Sequence, residues 1–135
     1  MAIAVAVCAL GLPAGAMADA RRDAILAEFL AQAKKEDPAF AGFSAGRGEA
    51  FFRASPAAGK PDTPSCTTCH GERPEEGGRT RAGKAIDPMA VSVNPGRYTD
   101  PKEVAKWFLR NCKSVLGREC SAAEKGDFIT FMKGR

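Results

Sequence analysis

The residues with the most chemical content are Cys66-Thr67-Thr68-Cys69-His70. C-x-x-C-H is the spacing that attaches c-type haem. Thioether bonds from Cys66 and Cys69 would pin the two vinyl groups along one porphyrin edge, and His70 then falls where its imidazole reaches the iron from one face. His70 is also the single histidine of the chain. That excludes bis-histidine ligation and zinc sites of the H-E-x-x-H kind. Two other chemistries share part of the pattern. A thioredoxin-like redox pair expects a βαβ context, which the sequence lacks. A zinc site needs two more ligands, and Cys112 and Cys120 stand at the wrong spacing for a second C-x-x-C. Haem attachment is the reading that uses every residue of the motif, with His70 as the proximal ligand. Its second ring nitrogen is expected to donate to a backbone carbonyl.

The opposite side of the iron is less determined. Methionine is the ordinary distal partner in electron carriers. Met89 lies in the proline-bearing stretch Ile86-Asp87-Pro88-Met89-Ala90 downstream of the motif, a position from which it could ligate or simply fill an apolar gap. Met132 is at helical spacing with Phe128 and reads as core. Trp107 and Asn111 stand i, i+4 and share a helix face, so a Trp107 lying along the haem would aim Asn111 near the iron. Spacing alone favours Asn111 as the helix C-cap.

Several elements must position these groups. Residues 1–18, MAIAVAVCALGLPAGAMA, are uncharged, with an apolar run ended by Pro13 and Gly15 and an A-x-A site at Ala16-Met17-Ala18. They read as a secretory signal peptide cleaved after Ala18, although the positive n-region is missing. The run is short for a membrane span, so no stable membrane insertion is expected, and export to the periplasm follows. Cys8 leaves with the leader, and the domain is 19–135. In an oxidising compartment the remaining pair, Cys112 and Cys120, reads as a disulfide. Closing that loop is worth roughly 2–3 kcal/mol in the chain-entropy model.

A helix capped by Asp19 is expected from Ala20 to about Lys35, ended by Pro38, and a second from Ser44 to Arg53, where Gly46 and Gly48 imply a packing reason. Residues 55–99 are rich in Gly, Pro, Ser and Thr and show little periodicity, so a bound group must supply the core. Asp100-Pro101-Lys102-Glu103 and Ser121-Ala122-Ala123-Glu124 are helix starts. The whole chain has 135 residues and 14.2 kDa, which allows one domain, and is 44% hydrophobic and 27% charged, an ordinary globular composition. Its net charge of +4 is weak for a nucleic-acid binder. Arg79, Arg81, Lys84 and Arg97 could meet haem propionates or form a docking rim for an acidic redox partner.

Longer segments carry a family resemblance. They are Lys60-Pro61-Asp62-Thr63-Pro64-Ser65 leading into the haem motif and Gly71, then Lys84, Ile86 and Pro88, then Arg97-Tyr98-Thr99-Asp100. The last run is Lys106-Trp107 and Arg110-Asn111-Cys112 through Gly117-Arg118-Glu119-Cys120 to Glu124-Lys125. From about Gly46 onward the chain resembles the sphaeroides haem protein (SHP) family, exported monohaem cytochromes c of class I-like, all-α fold. The Arg-Asn-Cys…Cys segment is the most specific part. The resemblance implies one covalent haem c held by Cys66, Cys69 and His70, with Trp107 beside it. It makes Asn111 the sixth ligand of the iron and Cys112–Cys120 a disulfide. It further implies a high-spin reduced state from which the asparagine has departed, binding of O2, NO or a similar small ligand, and a dihaem cytochrome c as electron donor. Met89 is a departure, since the family has an apolar residue there without a fixed methionine. A low-spin His/Met electron carrier using Met89 is therefore the alternative, and a haem enzyme reducing O2, NO or peroxide a third reading.

Overall fold

The computed structural model describes residues 13–135, so the first twelve residues of the expected leader lie outside the described residues. Among the described residues, five helices and one small hairpin follow in chain order: α1 Ala14–Glu36, α2 Ala45–Arg53, α3 Thr67–His70, β1 Gly78–Arg79, β2 Ala85–Ile86, α4 Pro101–Leu116 and α5 Ala122–Lys133. The molecule is thus mostly helical, with one antiparallel pairing of Gly78 with Ile86 and Arg79 with Ala85. No helix among the described residues is long and apolar enough to cross a membrane.

The first helix begins earlier than the Asp19 cap predicts. Ala-rich residues 14–20 have high helix propensity, and the turn starts directly after Pro13. Asp19 therefore lies inside α1, where it pairs with Arg22 at 2.5 Å. The C-terminal helices start where expected. Asp100 accepts from Lys102 N–H at 2.8 Å and from Glu103 N–H at 3.3 Å, with Pro101 in the first turn. Ser121 and Glu124 form a reciprocal capping box on α5.

The core is built from α2, α5, α1 and the inner face of α4. Phe52 of α2 packs on Phe128 and Phe131 of α5, with ring centroids 6.1 and 6.0 Å apart. Phe29 of α1 meets Phe108 of α4 edge-on. Burying each such ring stabilises by about 1.5–3 kcal/mol. Gly48 supplies the packing reason that the sequence implied: a Cβ there would run into the Asp127 backbone, so α2 and α5 touch almost backbone to backbone. Asp127, itself buried, accepts from Ser44 N–H at 2.6 Å and from the Arg47 guanidinium, locking the start of α2 to α5.

Residues 55–99 wrap the remaining side mainly as loops, and α4 closes the far wall. The Cys112–Cys120 disulfide ties α4 to the start of α5, with Cα atoms 5.7 Å apart. Cys112 lies inside α4 and not at its end. The helix runs on to Leu116, and Gly117 caps it at φ 68°, the left-handed conformation glycine adopts freely. Asn111 is therefore not a C-cap but an interior residue of the helix.

Candidate haem site

α3 is one turn long and holds the motif from Thr67 to His70, with Cys66 as its N-cap. His70 N–H donates to Cys66 O at 3.1 Å, which winds the two cysteines and the histidine into a single compact turn. Just ahead of it the Ser65 hydroxyl accepts from Thr67 N–H at 3.3 Å. Gly78 passes so close to the Cys69 carbonyl and the His70 Cα that a Cβ would collide with both, so the hairpin braces the motif from outside.

On the inner side lies a cavity of about 500 Å³ between α3, α4 and the loop of residues 86–99. That is within the roughly 300–1,000 Å³ range of small-molecule and cofactor sites. Cys66, Cys69 and His70 form one part of its lining, and Val104, Trp107 and Asn111 of α4 form another. Met89 lines it as well. The structure thus brings Cys66, Cys69, His70, Trp107 and both distal candidates, Asn111 and Met89, onto one lining. Met132, read as core, is fully buried away from this lining.

The chemistry of the donor set fits a covalent haem. Cys66 and Cys69 are free thiols. Burial pushes the Cys66 thiol up to about 11, so it stays protonated rather than acting as a thiolate. Cys112 and Cys120 are bonded to each other, which removes the two extra ligands a zinc site would need. Burial, reinforced by the positive charge of Arg97, lowers His70 to about 4, so its imidazole is neutral with a lone pair to give. His70 Nδ1 is buried and has no hydrogen-bond partner among the described residues. The expected donation to a backbone carbonyl is therefore missing.

Trp107 is held by its own helix. Its indole N–H donates to Glu103 at 2.9 Å, and Lys106 and Arg110 flank the ring at 5.1 and 5.6 Å from its centre. Of the four basic residues flagged by sequence, Arg97 lines the cavity. Arg79 donates to the Gly83 carbonyl at 3.3 Å, Arg81 pairs with Asp62, and Lys84 is exposed. Sequence reasoning did not single out Tyr98 or Phe128, which also face the cavity. Tyr98 is the only tyrosine of the chain, and its place beside Arg97 in a Pro/Gly loop was the available signal. Burial raises its phenol well above the ordinary value, so it remains a neutral donor.

Comparison with known proteins agrees with this geometry. Residues 38–132 match the family described as Domain of unknown function (DUF1924). The chain is 51% identical over 86 residues to cytochrome c-type protein SHP of Cereibacter sphaeroides, covering 64% of this chain and 67% of that protein. Over 69 residues it is 38% identical to cytochrome c'' of Methylophilus methylotrophus, covering 50% of this chain and about half (48%) of the relative. The solved structure of oxidised SHP, described as an oxygen-binding cytochrome c, superposes with a TM-score of 0.78 at 43% identity, covering 84% of this chain and 96% of that one. Oxidised cytochrome c'' superposes with a TM-score of 0.71 at 28% identity, covering 84% and 94%.

Proposed function

The chain belongs to the DUF1924 family and to the SHP-like c-type cytochromes, and from that premise we propose that it is a high-spin monohaem cytochrome c that accepts electrons and binds a small ligand of the O2 or NO kind. Cys66 and Cys69 would carry the thioether bonds, His70 would be the proximal ligand and Asn111 the distal one. When bound, haem c supplies a one-electron couple and a sixth position open to exchange.

The observation that carries the reading is the place of Asn111. It sits inside α4 rather than at its end, lines the same cavity as His70, and directly precedes the disulfide-anchored Cys112. Its carboxamide oxygen is a hard, weak-field donor, suited to ferric more than to the softer ferrous iron. On a bound haem, reduction would therefore weaken the hold of Asn111, whose NH2 group would then be a donor for a small ligand in the cavity. The relative described as oxygen-binding supports the ligand class. Trp107 forms the wall beside Asn111, and Arg97 is the cation best placed for a propionate.

The Cys112–Cys120 bridge suits an oxidising compartment, in keeping with a periplasmic protein and removal of residues 1–18. The electron donor in this reading is a dihaem cytochrome c, the partner implied by the family resemblance. The second reading, a low-spin His/Met carrier, rests on Met89 lining the same cavity. Spectra of the Asn111→Ala and Met89→Leu holoproteins separate the two. Loss of Asn111 is expected to alter the ferric spectrum with haem still attached. An altered spectrum in Met89→Leu alone would favour the second reading.

A further inference from the structure

Once Asn111 lets go, a second protein donor stands on the same cavity lining, the Met89 thioether. A thioether is softer than a carboxamide and suits ferrous iron better. A Met89 free to move would therefore capture the site and exclude any outside ligand.

The main chain around Met89 is fastened on both sides. Its N–H donates to Pro74 O at 2.8 Å, as does the next N–H, of Ala90. Its carbonyl accepts from the Tyr98 hydroxyl at 3.0 Å. The two preceding carbonyls, of Asp87 and Pro88, accept from the Arg97 guanidinium at 2.6 and 3.0 Å. Three successive carbonyls are thus held by two successive side chains. Those side chains are anchored in turn. Arg22, with no solvent exposure, reaches across from α1 to donate to Pro95 O at 2.6 Å and Arg97 O at 3.1 Å. Tyr98 has φ 61°, a left-handed conformation that costs a non-glycine residue of order 1–3 kcal/mol and persists only where the surroundings over-determine it. Its ring packs edge-on against Phe128, with centroids 6.1 Å apart.

We propose that Tyr98, backed by Arg97 and Arg22, is a positioning residue that fixes Met89 as cavity wall and so reserves the sixth position for an outside ligand. The proposal rests on the Asn111 reading above. The clasp acts by population. If Met89 occupied the site in about nine molecules of ten, the apparent affinity for an outside ligand would fall about tenfold.

The test is CO titration of the ferrous holoprotein, followed optically. A CO-responsive wild type sustains the Asn111 reading. A low-spin, CO-silent wild type overturns that reading, and this proposal with it. Given a responsive wild type, Tyr98→Phe is expected to gain a low-spin ferrous fraction and lose about tenfold in CO affinity, and Tyr98→Phe combined with Met89→Leu to recover both. A Tyr98→Phe protein with unchanged spectrum and affinity overturns the proposal alone, as does a loss that Met89→Leu does not rescue. Should Tyr98→Phe fail to fold, hydrogen exchange of the wild type decides. The Met89 and Ala90 amides are expected to be equally protected in the ferric and the CO-free ferrous protein, and faster exchange on reduction contradicts the clasp.

Discussion

The hydroxyls of Thr63 and Ser114 lie 2.7 Å apart, and through them the loop entering the haem motif is fastened to the helix that carries Asn111. The Ser114 carbonyl accepts twice more from the same loop, from Lys60 N–H at 2.7 Å and from the Thr63 hydroxyl at 3.3 Å. Gly117 closes the contact, since a Cβ there would collide with the Ala58 carbonyl. Thr63 stands just before Cys66 and Ser114 one turn after Asn111. The two candidate axial ligands are therefore borne by segments bonded to each other. Ser114→Ala is expected to cost about 1 kcal/mol, read as a lower denaturant midpoint at unchanged slope.

The disulfide is the second fastening on α4. Replacing Cys112 and Cys120 together by serine is expected to lower stability by roughly 2–3 kcal/mol. Haem should stay covalently attached, because Cys66 and Cys69 are untouched. Denaturant unfolding and a denaturing gel with haem stain check the two halves of that expectation. Loss of attached haem would contradict it.

The start of α5 should be acid-sensitive. The Arg118 guanidinium grips the Glu124 carboxylate with bonds of 2.8 and 2.7 Å, and Ser121 N–H adds a third at 2.8 Å. Chiefly through Arg118, the carboxyl is held below its usual range. A group depressed in the folded state contributes stability that is present above its unfolded value, about 4.3, and is lost as pH falls through the folded value. Wild type and Glu124→Gln should therefore differ at neutral pH and converge in acid. A gap that stayed constant down to low pH would show that the charge contributes nothing.

Gly48→Ala tests the packing of α2 on α5. Within an ordinary helix this change gains about 0.5–1 kcal/mol. Here the added Cβ meets the Asp127 backbone, so the sign reverses and the melting temperature falls. A raised melting temperature would mean that the two helices can part without cost.

What the sequence disclosed followed local rules. The Asp100 and Ser121 caps and the cysteine bridge each depend on residues a few positions apart, and all stand where local chemistry puts them. The end of α4 was misplaced because Asn111 tolerates the C-cap position, whereas Gly117 takes it for a tertiary reason, the close pass of Ala58. The start of α1 was misplaced because Asp19 looks like a cap but finds Arg22 instead. The clasp from Arg22 through Arg97 and Tyr98 to Met89 was illegible, since its bonds join residues scattered from α1 to the loop before α4. Asn111 is singled out by family resemblance more than by spacing; the structure places it inside α4 and on the cavity lining, and its role as a ligand is the proposal to be tested.

The optical spectrum of the ferrous holoprotein, with and without CO, bears on the central claim most directly. A weak-field Asn111 that departs on reduction predicts a broad high-spin spectrum that shifts on adding CO. A sharp low-spin α band unmoved by CO would contradict the account and leave Met89 as the distal ligand.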